Sequence, residues 1–160
     1  MFMNGGVMLK RVMYCSQQDV PVTLYHITSI SNLISILDSN QFNPGHWNNL
    51  SATTKQDYFK GPQLACLLLD VDLLMNDGYQ FIRYTSEYAK SVGNDDGVDS
   101  EEEWRCICDN PILNFCKYIK EVKLMSHDRL FNMILDKEKV DIGDIIGKCN
   151  SRDIKVDMMW

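Results

Sequence analysis

The chain has 160 residues and a formal net charge of −6 at pH 7. That length suits one domain with a real core, so residues 1–160 are expected to fold as a single unit. Hydrophobic residues make up 45% of the chain and charged residues 24%, ordinary values for a globular protein. No apolar run approaches the roughly 20 residues of a membrane span. The opening "MFMNGGVMLKRVMYCS" lacks the continuous apolar stretch of a signal peptide. These features predict a cytoplasmic protein with no membrane partner. The acidic balance speaks against a broad electrostatic grip on nucleic acid but leaves room for a local basic groove.

The first predicted strand is "VTLYHIT", 22–28, an alternating run of β-formers. "SISNLISILDSN" follows with Ile30, Leu33, Ile34 and Leu37 on one helical stripe and Ser29 or Ser31 as cap. "NPGHW" breaks the pattern, and "NNLSATT" reads as a short strand. "QLACLLLDV" is apolar throughout, as a strand covered on both faces should be. "DVDLLMNDG" makes a short helical turn stopped by Gly78, and "YQFIRYT" is a further strand. Residues 86–100 read as a loop ending in "GNDDGVDS". "EEEWRCICD" is a strand entered from that acidic loop, and "KYIKEVKLM" is another. "SHDRLFNMILDKE" is a helix with Ser126 as N-cap and Asp128 in its first turn. A weaker helix, "VDIGDIIGKCN", and a closing strand, "DIKVDMM", complete the chain. Strands outnumber helices and few βαβ units repeat, so the class is α+β with a mixed or antiparallel sheet.

The six cysteines sit in strand and core contexts such as "LACLLLD", which suits free thiols in a reducing compartment. Cys106, Cys108 and Cys116 lack the second CxxC or HxxxH pair of a zinc site, and no metal is expected.

Three groups of residues can carry chemistry. His26 shares a strand face with Leu24 and Thr28 and can hydrogen-bond a ligand or simply a local backbone partner. Ser51 and Thr53 share a face of the next strand, where hydroxyls can bind a ligand or bond to backbone. In "SEEEWR", an extended strand puts Glu101 and Glu103 on one face with Arg105, and Glu102 on the other. Paired carboxylates repel, which favours a proton or a hydroxyl donor on one of them, while Arg105 can keep the other ionised. A solvated acidic loop is the plain alternative for the glutamates.

Taken together, "LYHITSISNLISIL", "LSATT" and "SEEEWR" before "KYIKEVKL" resemble the ADP-ribosyltransferase superfamily. The likeness is to small bacterial and phage members related to the DNA-targeting toxin branch, and it spans about residues 22–125. The resemblance implies a split β-sandwich with flanking helices and NAD as co-substrate in its cleft. It implies a toxin-type or phage factor, acting in the host cytoplasm if phage-encoded, that moves ADP-ribose to a protein or nucleic-acid acceptor. In those terms Glu103 is the catalytic glutamate and Glu101 completes a Glu-x-Glu pair. His26, with Thr28 beside it, binds the NAD ribose, and Ser51 and Thr53 shape the pocket. Tyr58 or Phe59 stacks on nicotinamide, with Tyr25, Trp47 and Tyr84 as competitors for that role. One departure is that Thr54 stands where a basic residue often follows the Ser-x-Thr element, with Lys55 one step later. The resemblance therefore also allows a catalytically inactive member that binds a host protein or a nucleotide.

Overall fold

The computed structural model describes residues 19–45, 48–56, 63–85, 90, 102–126 and 128–159. Strand β1, Thr23–Thr28, leads directly into helix α1, Ile30–Ser39. Ser29 separates them, and its Oγ accepts a hydrogen bond from the Asn32 amide at 3.1 Å. The helix ends at Asn40 in the left-handed region, φ 53°, a conformation asparagine tolerates better than most residues. The stripe that α1 buries is Ile30, Leu33, Ile36 and Leu37; Ile34 is only partly covered.

Next come β2, Gln41–Phe42, β3, Asn49–Thr53, and β4, Ala65–Asp70. Asp70 ends β4 and caps helix α2, Val71–Asn76, by accepting from the Leu73 amide. Gly78 stops this turn at φ 96°, where a side chain would be strained. Then follow β5, Gln80–Arg83, β6, Glu103–Ile107, and β7, Ile112–Leu113. A 3₁₀ turn at Phe115–Tyr118 runs into β8, Ile119–Leu124. Helices α3, Arg129–Glu138, and α4, Ile142–Asn150, precede β9, Lys155–Met158.

Seven strands form one sheet in the order β5-β6-β3-β1-β4-β8-β9, antiparallel except for the parallel pair β8-β9. β2 and β7 form a separate two-stranded sheet. The class is α+β with a large, mostly antiparallel sheet. One face of the sheet carries Leu24, Leu67, Val122, Leu50, Cys106 and Phe81, all fully buried, and these join the buried stripes of the helices in one core. Among the described residues, no helix is long and apolar enough to cross a membrane.

The sequence reading needs three corrections. The cap of α3 is Asp128, whose side chain accepts from the Leu130 amide, not Ser126, whose hydroxyl donates to the Met159 carbonyl. The acidic strand starts at Glu103 rather than Glu101. Glu102 has φ 49°, which an extended strand cannot contain. The short β2–β7 pair was not foreseen, because two-residue strands carry no readable alternation. The loop expected at 86–100 lies outside the described residues except for Lys90.

Candidate active site

The pairing register decides which candidates meet. Tyr25 lies opposite Thr53, and Thr53 lies opposite Glu103. Directly opposed residues of an antiparallel pair point the same way. Tyr25, Thr53 and Glu103 therefore form one row across three strands, on the face turned away from the core. In the next row Ser51 lies opposite Arg105, and Arg105 opposite Ile82. The hydroxyl strand and the acid strand, about fifty residues apart in the chain, are immediate neighbours.

Glu103 is held from two sides. Its Oε1 accepts from Arg105 Nε at 2.9 Å, and both side chains are largely covered, 14% and 16% exposed. The Arg105 guanidinium lies over the ring of Tyr84, its Cζ 3.4 Å from the ring centroid. Tyr84 is itself buried, and its backbone N–H donates to the Glu103 carbonyl at 2.8 Å. The ion pair holds the Glu103 carboxylate, stacking holds its arginine partner, and backbone pairing holds its main chain. Beside it, Thr53 Oγ1 accepts from the Lys55 amide at 3.1 Å, which turns the chain as it leaves β3. Lys55 itself is half-buried and stands beyond the strand.

Glu102 does not point away as an extended strand would require. From its left-handed position its Oε2 accepts a hydrogen bond from Thr54 Oγ1. The threonine standing where a basic residue often follows is therefore engaged by the acid just before the neighbouring strand.

His26 and Thr28 lie elsewhere. They alternate with Tyr25 and Ile27, are buried, and occupy the core face with Leu24. His26 lies opposite Leu67, and its ring meets Phe42 edge-on with centroids 5.3 Å apart. Its Nδ1 donates to the Ser51 carbonyl at 2.7 Å; a carbonyl only accepts, so the proton is on Nδ1. Burial pushes the His26 pKa down, and the Ser51 bond opposes that only in part, so the ring is held neutral. Thr28 Oγ1 accepts from Asn32 Nδ2 at 3.2 Å, which ties β1 to α1. The resemblance assigns His26, Thr28, Ser51, Thr53 and Glu103 to one NAD site; the register puts His26 and Thr28 on the opposite face of the sheet from Ser51, Thr53 and Glu103. Glu101, Tyr58, Phe59 and Trp47 lie outside the described residues.

β6 turns Trp104 and Cys106 to the His26 face; Trp104 is one step from Glu103 and opposite Ala52. Its Nε1 is buried without a hydrogen-bond partner among the described residues, and Arg83 lies 5.8 Å from its ring. Sequence reading missed Trp104 and gave Tyr84 only as a competitor for stacking on nicotinamide. Only the register shows that Trp104 shares a face with His26 and that Tyr84, two residues beyond the Ile82–Arg105 pair, meets Arg105.

The five described cysteines are free and buried. Burial raises their thiols out of the reactive range, Cys66 to about 12 and Cys108 and Cys149 to about 11. They are core residues and not nucleophiles. What the row across β1, β3 and β6 offers chemically is a fixed carboxylate at its end with Thr53 directly beside it and Tyr25 beyond, an arrangement able to stabilise a positive charge developing on a ligand. Neither a protein-family model nor a curated protein matches the chain.

Proposed function

We propose that the protein is an NAD-dependent ADP-ribosyltransferase acting on a macromolecular acceptor, with a split β-sandwich of that superfamily's type. One observation carries the reading: Thr53 of the "LSATT" strand lies directly opposite Glu103 of the "SEEEWR" strand. The two motifs that suggested the family separately from the sequence come together in register. The reading is supported too by the pairing of β1 with β3 at Tyr25–Thr53, where His26 Nδ1 donates to the Ser51 carbonyl, so the histidine strand adjoins the hydroxyl strand.

In this reading the bond between the ribose anomeric carbon and the nicotinamide nitrogen breaks, and its electron pair leaves with nicotinamide. Positive charge spreads over the ribose carbon and ring oxygen, as in other glycosyl transfers. The Glu103 carboxylate stabilises that charge where it develops. An acceptor oxygen or nitrogen then bonds to the anomeric carbon and gives up its proton, which a second carboxylate can take; Glu101 is the proposed candidate. Ser51, Thr53 and Lys55 shape the NAD site on the Glu103 face. His26 and Thr28, placed on the core face, serve the fold instead.

Trp104 favours a second reading. An acid strand that turns an indole, rather than a glutamate, toward the histidine face fits a member of the fold that binds without cleaving. The two readings separate on nicotinamide release. The purified full chain incubated with NAD should release nicotinamide, and NAD should raise its melting temperature by mass action. Stabilisation without release selects the binding protein; neither effect overturns both.

A further inference from the structure

We propose that Arg105 and Tyr84 are positioning residues that fix the Glu103 carboxylate in one rotamer. The proposal deepens the transferase reading and rests on it for its kinetic arm. Three contacts form a closed loop: Glu103 Oε1 to Arg105 Nε at 2.9 Å, the guanidinium on the Tyr84 ring at 3.4 Å, and the Tyr84 N–H to the Glu103 carbonyl at 2.8 Å. The last contact ties the stacking ring to the backbone of the glutamate that it positions. Arg105 therefore cannot swing away with the carboxylate, because its plane is trapped on a buried ring.

A lone ion pair on a strand surface leaves both side chains free to turn. Here Arg105 is pinned, so Oε1 is pinned, and the remaining oxygen, Oε2, is set in one direction. A group that stabilises charge in a transition state acts fully only when it is already oriented. The device needs arginine. Lysine carries the charge but has neither the flat surface that lies on the ring nor an N–H fixed within that plane. It also needs an aromatic ring at 84, with the phenol hydroxyl secondary. Glu103 and Arg105 are two apart on one strand, so their pairing alone is readable in sequence. The anchor at Tyr84 comes from the neighbouring strand's exit and is visible only in the fold.

The test uses the full chain and four proteins: the parent, R105K, Y84F and Y84L. Side-chain scalar couplings of Glu103 report its χ1 population whether or not the protein is an enzyme. The expected result is one rotamer in the parent and Y84F, and averaging in R105K and Y84L. Nicotinamide release supplies the second readout. The expected result is a fall in kcat of about tenfold to a hundredfold in R105K and Y84L, with KM for NAD within about threefold and Y84F close to the parent. A parent that releases no nicotinamide ends the transferase reading, and the positioning role then stands or falls on the rotamer measurement. Averaged couplings in the parent, or a single rotamer kept in Y84L, overturn it. So does a Y84L defect confined to KM in an active parent.

Discussion

Acidification should weaken this protein through a single histidine. In the folded state His26 has Leu67 opposite it and Phe42 against its ring, and its Nδ1 proton is committed to the Ser51 carbonyl. Burial lowers its pKa from the ordinary 6.5. Unfolding returns the ring to water, where it takes up a proton below that value. Between 6.5 and the lower folded pKa, the unfolded chain therefore binds one more proton than the folded chain, and stability falls as pH falls. The limiting slope is about 1.4 kcal/mol per pH unit. Integrated from pH 6.5 to pH 5.5, the loss is at most about 1 kcal/mol, the limit reached by a folded ring that stays neutral. The assay is urea unfolding at several pH values for the parent and for H26N, whose amide can still donate to Ser51. Subtracting the two profiles removes contributions from every other titrating group. The H26N protein should start less stable, since it lacks the Phe42 contact, but should lose less over that interval, by up to about 1 kcal/mol. Parallel profiles would refute the claim that His26 is buried and neutral.

Three further outcomes follow from the geometry around Glu103 and from the buried thiols. E103Q should lower nicotinamide release by about 10²–10³ while NAD binding, followed by melting temperature, is roughly retained. E102Q should stay within about 0.5 kcal/mol of the parent in urea unfolding, because the amide oxygen can still accept from Thr54, whereas T54V should cost about 1 kcal/mol. Thiol alkylation at pH 8 should be slow at Cys66, Cys106, Cys108, Cys116 and Cys149 in the folded protein, and denaturation without reductant should expose six labels by mass; rapid labelling of those five in the folded state would contradict their burial.

The elements that sequence reading located well are those whose signal is local. The α1 stripe and its Ser29 cap, the Asp70 to Gly78 turn and the apolar β4 run all follow from spacing and capping chemistry within a dozen residues. Pairing is not local. Nothing between Ser51 and Glu103 in the chain says that their strands are neighbours, or that Tyr25 aligns with Thr53. Face assignments within one strand were sound for β1 and β3, yet they could not be joined across strands. His26 was therefore placed with Ser51 when its side chain lies on the other face and only its Nδ1 meets a Ser51 backbone atom. The Glu101–Glu103 alternation failed for a different reason. It assumed an extended chain at Glu102, and a single left-handed residue ended the strand there. Within β6 the alternation does hold, and the Glu103–Arg105 pairing expected from it is present.

The position of β1 has a consequence for how the molecule assembles. The earliest of the described strands lies in the interior of the sheet, between β3 and β4. As the chain leaves the ribosome, β1 emerges with both backbone edges unpaired and must wait some twenty to forty residues for its two neighbours. An apolar strand open on both sides is a template for pairing with other chains. The nascent chain is thus most in need of chaperone cover while β1 waits for β3 and β4. Proteolysis should show the same dependence: a cut between Ser29 and Ile30 severs from the rest of the chain the strand on which both halves of the sheet are assembled.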